Sequence, residues 1–296
     1  MNLRPSGYEP DELPYCSTPR HFELAFAASR RGIYSRALSL STLIYTEAVF
    51  SYTPAMSNTL PVSIVIPVYN EEENLPRLFD EIAQAMRPLN RVWEVVFVND
   101  GSRDKSLAVL KAIASANPEV RYLAFAANRG QSAAFCAGFD AAEHPIVVTL
   151  DADLQNDPAD IPGMLALYDQ GYGMAIGWRK KRRDTWSKRI GSKIGNAVRN
   201  WLTRETVRDT GCSLKVMRRD MLVRIPRFKG MHRFFPTLMK MQGATVAEMP
   251  VNHRERYMGV SNYSNWERAV AGLRDLFGVR WLQDRHFDFE IREKNR

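Results

Sequence analysis

The chain predicts an α/β fold, a mostly parallel sheet flanked by helices. Three observations carry this. From Leu60 onward, short β-rich apolar runs alternate with helical stretches of roughly 10–15 residues, the rhythm of βαβ units. The runs are apolar without alternation, as buried strands are. Acidic residues stand directly after three of them, at the edge where open parallel sheets bind ligands.

The elements follow in order. Val62–Pro67 is a strand, and Glu72–Met86 is a helix with Leu75, Leu78, Phe79, Ile82 and Met86 on one face. Trp93–Val98 is a second strand. Asp104–Ala114 is a helix carrying Leu107, Leu110 and Ile113. Arg121–Phe125 is a third strand, Gln131–Ala142 a small-residue helix opened by Gly130, and Ile146–Leu150 a fourth strand ending at Asp151. A helix at Ile161–Gln170 and a strand at Met174–Ile176 come next. The basic stretch Arg179–Arg189 holds seven cations and one anion. Beyond it come a helix near Ile190–Leu202, a strand near Ser213–Met217, a helix near His232–Met241, a strand at Thr245–Val251 and a last helix near Trp266–Trp281.

The 296 residues allow one or two domains. The 45% hydrophobic and 25% charged shares exclude a disordered or fibrous chain, and no apolar run reaches 18 residues, which argues against an integral membrane protein. Three cysteines, Cys16, Cys136 and Cys212, make no metal cluster or even disulfide set and point to a reducing compartment. Met1–Ala55 is neutral, with five basic and five acidic residues, so the whole net charge of +8 lies in Met56–Arg296. That excess favours anionic partners: nucleotide phosphates, nucleic acid or an acidic membrane face.

Two segments are expected. Residues 1–55 form an N-terminal extension, disordered or the product of a mis-assigned start, too polar to span a bilayer and without the form of a secretion signal. Met56 is the expected natural start, and residues 56–296 are the functional domain, ending in an amphipathic helix.

The strand ends read PVYNEEEN, VNDGSRD and LDADLQ. Three acidic clusters at one rim would repel each other unless something positive sits among them. Asp151 and Asp153 are two residues apart, on one side of an extended chain, and Gln155 continues that side if the chain stays extended. Two carboxylates and an amide oxygen are hard ligands suited to Mg2+ or Mn2+ bridged to phosphate. Asp100 at the second strand's end can accept the imide N–H of uracil. Tyr69 can stack on a base and Glu71 can accept from a ribose or a base. Plainer readings also fit: a turn through Asn99–Ser102 with Asp104 as helix cap, and Asn70 as a cap with glutamates in the first helical turn.

In this order and at these separations, and with the later segments GWRKKRRD, DTGCSLKVMRR, HRFFP and HRERYMGVSNY, the motifs resemble the family 2 glycosyltransferases. The match is strongest to their polyprenyl-phosphate branch, the dolichol-phosphate-mannose-synthase-like enzymes, and covers about Ser63 to Arg285. The resemblance implies the GT-A fold, with a Rossmann-like sheet. It implies inverting transfer of a sugar from a UDP- or GDP-sugar to an undecaprenyl or dolichyl phosphate, feeding cell-envelope glycan or lipid glycosylation. By the same resemblance Pro67, Tyr69, Glu71, Asp100 and Asp151 bind the nucleotide, and Asp151, Asp153 and Gln155 hold the metal. Arg179, Arg182 and Asp184 lie near the acceptor phosphate, with Asp151, Asp153, Arg179 and Arg182 carrying catalysis. Asp209, Gly211 and Cys212 shape the sugar site. Arg256, Ser261 and Tyr263 belong to a loop that closes over phosphates, although many relatives have Lys where this chain has Asn262.

The rival functions are a transferase acting on a soluble glycan or protein and a non-catalytic scaffold. The intact Asp100, Asp151, Asp153 and Gln155 argue against the scaffold. A processive synthase lacks its Q-x-x-R-W signature here, and a nucleotidyltransferase lacks its Gly-rich loop. Nucleic acid is not an expected partner, because aromatics are not interleaved with the basic residues. The expected location is cytoplasmic, peripheral at the cytoplasmic membrane face, on an anionic lipid surface, with a separate membrane protein or a second copy as open partners. Phe277 and Trp281 in the last helix lie either in the membrane interface or in the core. His144, His232, His253 and His286 have no metal-ligand spacing. Cys136 and Cys212 are packing residues.

Overall fold

Among the described residues seven strands form one sheet in the order β3-β2-β1-β4-β6-β5-β7. They are β1 (Val62–Val68), β2 (Trp93–Asn99), β3 (Val120–Ala124), β4 (Ile146–Thr149), β5 (Met174–Arg179), β6 (Lys215–Arg218) and β7 (Val246–Val251). This computed structural model describes residues 60–179, 199–255, 265–287 and 292–293, all within the second of two units, Pro54–Arg296. The expectations for Met1–Ala55, for Arg182, Asp184, Arg256, Ser261, Asn262 and Tyr263, and for most of the basic stretch lie outside the described residues, as does the start of the helix near Ile190, of which 199–203 are helical.

The expected strands are all present. β1 pairs parallel with β2 and β4, β2 with β3, and β5 with β7. Only β6 runs antiparallel, between β4 and β5. β1 is buried on both faces because helices cover both. Its Val62, Ile64, Ile66 and Val68 join one apolar cluster and Val65 the other, as a period of two requires.

Helices α1 (Leu75–Met86), α2 (Ser106–Ala116) and α4 (Ile161–Tyr168) contribute to the first cluster through residues such as Leu78, Ile82, Leu110 and Met164. α3 (Gln131–Ala141) and α6 (Phe235–Met241) supply the second. α3 is rich in small residues because it lies hard against β1: a Cβ on Gly138 would stand 2.2 Å from Val65 Cγ1. A short α5 (Arg219–Leu222) follows β6, and α7 (Asn265–Arg285) ends the described fold, with Leu276 and Val279 in the second cluster.

Three local expectations change. α1 starts at Leu75, with Asn74 at the N-cap and no acidic residue in its first turn, so the glutamates at 71–73 lie in the loop before it. The HRFFP segment opens as a 3-10 turn, Met231–Phe234, before α6. Lys105 holds the N-cap position of α2, while the Asp104 carboxylate beside it accepts the Ser106 N–H at 3.0 Å.

The loops after β1 and β2 are joined by side chains. Asn70 Oδ1 accepts the Arg103 N–H at 2.8 Å, Ser106 Oγ accepts that of Glu71 at 2.9 Å, and Asp104 accepts that of Glu72 at 3.2 Å. Gly101 sits at the centre with φ +67°, where a Cβ would meet backbone atoms of Ala127 and Asn128 at 2.6 Å. Both the left-handed backbone and the contact require glycine. Gly101→Ala should therefore lower stability by about 2–4 kcal/mol, read from denaturant midpoints; a loss under 0.5 kcal/mol would mean the loops separate freely.

Candidate active site at the carboxyl edge of the sheet

Strand order reverses at β1, which lies between β2 and β4. The crevice beyond the carboxyl ends of β1 and β4 is therefore the topological switch point of the sheet. β4 leaves the ladder early. Its register with β1 ends at Val65 opposite Thr149, and the last bond runs from the Leu150 N–H to the Val65 carbonyl. Pro67 points its missing N–H to that vacated side, which is why proline is tolerated in a central strand. Tyr69 and Glu71 follow at the same rim, and Asn74 donates to Glu71 Oε2 at 2.6 Å.

Asp100 directly follows β2 and is 3% exposed. Its backbone N–H bonds the Val68 carbonyl. Its two carboxylate oxygens accept the backbone N–H groups of Arg129 (2.6 Å) and Gly130 (2.8 Å), which fixes the approach to α3. At the start of that helix, Gln131 Nε2 donates to Asp151 Oδ1 at 2.8 Å.

Asp151 and Asp153 follow β4, but the chain through them is not extended. Residues 152–154 turn, and Leu154 is left-handed at φ +58° with its side chain buried. The condition for Gln155 to continue that face, an extended chain, is thus not met. Its N–H bonds Asp153 Oδ1 at 3.1 Å and its carbonyl accepts the Arg254 N–H at 2.8 Å. Apolar burial of Leu154 holds the strained turn in place. Burial, and then the neighbouring Asp153 carboxylate, push Asp151 up to about 6; the Ser213 hydroxyl and the Lys215 and Arg179 charges oppose this.

Antiparallel β6 brings its start to the rim where β4 and β5 end. Arg179, the last residue of β5, forks onto Asp209, with Nε–Oδ2 at 2.7 Å and Nη2–Oδ1 at 2.9 Å. Gly211 lies against that guanidinium. Cys212 is buried, with Asn156 Nδ2 3.5 Å from its sulfur, and burial raises its thiol pKa, so it is a packing residue.

Sequence reasoning missed Gln131 and Lys215. Lys215 is 3% exposed, donates to the Cys212 carbonyl, and faces Phe235 at 5.9 Å from the ring centroid. Burial lowers its pKa, against the pull of Cys212, Asp151 and Asp209. A lysine at the start of an apolar strand, just behind DTGCS, was the available signal. Lys215 and Arg179 bring positive charge towards Asp151 and partly offset its raised pKa.

His232 is held beside this rim. Ser132 Oγ accepts the Gly230 N–H at 2.9 Å and shares a hydrogen bond with His232 Nδ1 at 2.8 Å. Burial and the Arg233 and Lys215 charges lower the imidazole to about 3. The unfolded chain, near 6.5, thus binds this proton first. Stability is full above pH 6.5 and falls on acidification by about 1.4 kcal/mol per unit towards pH 3. His232→Gln should flatten that acid limb in urea titrations; an unchanged slope between pH 6 and 4 would refute the assignment.

The donor chemistry fits a divalent cation. Two carboxylates at one turn, one of them raised by burial and then by the other, are relieved by a cation between them. Among the described residues no group of three acidic, His or Cys side chains could hold a metal by itself. Mg2+ commonly takes one or two carboxylates and completes its shell with substrate phosphates and water.

Comparisons with known proteins agree with this geometry. The chain is 39% identical over 205 residues to an undecaprenyl-phosphate 4-deoxy-4-formamido-L-arabinose transferase of Pectobacterium atrosepticum, covering 69% of this chain and 62% of the relative. A protein of the same description from Salmonella choleraesuis is 37% identical over 216 residues, covering 73% and 66%. The chain thus spans less than two thirds of either relative's length. Among solved structures, glucosyl-3-phosphoglycerate synthase from Mycobacterium tuberculosis, in complex with Mn2+, UDP and phosphoglyceric acid, superposes with a TM-score of 0.59 at 18% identity, over 80% of this chain and 84% of that one. That likeness establishes the GT-A fold. The profile of glycosyl transferase family 2 matches residues 63–225, from β1 through the acidic rim to just beyond α5, and the chain belongs to that family.

Proposed function

We propose that the protein transfers a sugar from a UDP- or GDP-sugar to a polyprenyl phosphate, inverting the anomeric centre. The observation that carries this is the meeting, at the switch point, of the Asp151–Asp153 pair with the buried Lys215 and the Arg179–Asp209 fork. The relatives' description as undecaprenyl-phosphate transferases supports a lipid-phosphate acceptor.

Asp151 and Asp153 would hold Mg2+ or Mn2+, with Gln155 as a candidate third ligand. The ion supplies electrostatic stabilisation of the diphosphate as it departs. Pro67, Tyr69 and Glu71 line the nucleotide side with Asp100. Arg179 is oriented by Asp209, and its Nη1 donors, which no hydrogen bond among the described residues takes, would meet a phosphate. Arg182, Asp184, Arg256, Ser261 and Tyr263 complete the acceptor and phosphate contacts in this reading. Asp209, Gly211 and Cys212 shape the sugar side.

No general base is required. A phosphate monoester has its second ionisation near 6, so the acceptor oxygen is already anionic at neutral pH. It attacks the anomeric carbon from the face opposite the departing diphosphate. No described helix is long and apolar enough to cross a membrane, and the reading places the protein at the cytoplasmic membrane face. The test is incubation with a panel of nucleotide sugars and a short-chain polyprenyl phosphate, with and without Mn2+, followed by mass spectrometry of the lipid. A glycosylated lipid phosphate of inverted configuration supports the reading; sugar on a soluble glycan or protein instead, or a retained configuration, overturns it.

A further inference from the structure

Of the two arginines in HRERYMGVSNY, the family resemblance gives Arg256 a role and Arg254 none. Arg254 nevertheless sits at a junction. Beyond β7 the chain runs antiparallel to the segment that leaves the Asp151–Gln155 turn. The Arg254 N–H bonds the Gln155 carbonyl at 2.8 Å, and His253 pairs with Asn156 in an isolated antiparallel bridge. The guanidinium then reaches two more elements. Its Nη1 donates to Glu81 Oε2 of α1 at 2.6 Å, and its Nη2 meets Asp157 Oδ1 at 2.7 Å. The same Asp157 oxygen accepts the Ala159 N–H at 3.0 Å and caps the 3-10 turn Pro158–Asp160. The Glu81 and Asp157 side chains are only 19% and 16% exposed, so water screens these pairs less than it screens surface ones.

We propose that Arg254 is a positioning residue for the candidate metal site, acting through Gln155. Gln155 is the link because its backbone is held on both sides. Its carbonyl accepts from Arg254, and its N–H donates to Asp153 Oδ1 at 3.1 Å. The chain that leaves the turn is thus stapled to α1 and to the end of β7 by one residue, and Asp153 is oriented from that staple. The guanidinium is engaged by two carboxylates, so its part is to hold the turn and not to meet a substrate.

The turn needs such a hold. Leu154 is left-handed at φ +58°, a backbone that a residue with a side chain keeps only where its surroundings enforce it. Burial of Leu154 anchors the turn in the core, and Arg254 anchors the chain where it departs. Without the guanidinium, Glu81 and Asp157 would face each other as like charges, and the departing segment would lose its tie to α1. Removing an outer partner that orients a ligating carboxylate typically weakens metal binding about 10–100-fold. The effect on metal affinity rests on the proposed metal role of Asp151 and Asp153; the hold on the turn does not.

The test compares the full chain of the wild type with Arg254→Met and Arg254→Lys, by hydrogen exchange without metal and by calorimetric titration of Mn2+ in the presence of UDP. In Arg254→Met the amides of 152–157 and 252–255 should exchange about tenfold faster while those of β1 and β2 keep their protection. Mn2+ should bind that variant about tenfold less tightly. Its UDP affinity without Mn2+ should stay within about twofold, which a general loss of structure would not permit. Arg254→Lys keeps a cation that meets one carboxylate at a time, so it should lie between the two. If the methionine variant does not fold, the lysine variant decides. A folded variant that binds Mn2+ as tightly as the wild type, one that loses UDP affinity without Mn2+ in equal measure, or unchanged exchange at 152–157 would each overturn the proposal. A wild type that takes up no Mn2+ while Arg254→Met still loosens 152–157 would sink the metal reading and this role with it, and leave Arg254 only its hold on the turn.

Discussion

Asp153→Ala should leave a folded protein whose sugar transfer is at least about a thousandfold slower. A divalent ion at a departing diphosphate contributes several kcal/mol to the transition state, and each 1.4 kcal/mol is a factor of ten. Asp153 is 8% exposed and two residues from Asp151, so removing it leaves a single carboxylate to grip the ion. The fold should hold, because the lost bond to the Gln155 N–H is offset by removing one of two close like charges. Mn2+ should raise the thermal midpoint of the wild type, by binding the native state alone, and have little effect on the variant. Turnover within tenfold of the wild type, or an equal Mn2+ shift in both proteins, would remove Asp153 from the proposed site. The measurements are donor turnover, circular dichroism and thermal unfolding with and without Mn2+.

The parts that were legible in the sequence are those fixed by local pattern. The β-branched runs of β1, β2 and β4 could only be buried strands, and the acidic residues after them marked the working edge. The direction of β6 was not legible. Its four residues include Lys215 and Arg218, and only pairing between β4 and β5 sets it antiparallel. That direction brings Asp209 to Arg179, thirty positions earlier, so the fork is invisible to any local reading. The turn at Leu154 was missed because left-handed backbone is normally announced by glycine or asparagine, and here burial of a leucine enforces it. In α7 both stripes, Leu276 with Val279 and Leu273 with Phe277 and Trp281, have helical spacing. Periodicity cannot say which one finds a partner.

In the proposed function Asp100 would carry a structural and a ligand-reading demand together. Its carboxylate already accepts two backbone N–H groups, from Arg129 and Gly130. An ionised carboxylate has about four acceptor positions, so about two remain for a base edge at the crevice. Asp100→Ala should therefore do two separable things. Losing two hydrogen bonds to a charged group should cost about 2–4 kcal/mol and lower the thermal midpoint by roughly 5–10 °C. Affinity for UDP should fall at least about tenfold while affinity for pyrophosphate with Mn2+ stays within about twofold, because the loss lies at the base and not at the phosphates. Asp100→Asn should sit between, since its amide keeps one acceptor oxygen but sets an N–H against a backbone N–H. Calorimetric titration with UDP and with pyrophosphate, beside thermal unfolding, reads both effects. A destabilised variant that still binds UDP as tightly as the wild type would leave Asp100 only its hold on the Arg129–Gly130 backbone and would move base recognition to Tyr69 and Glu71.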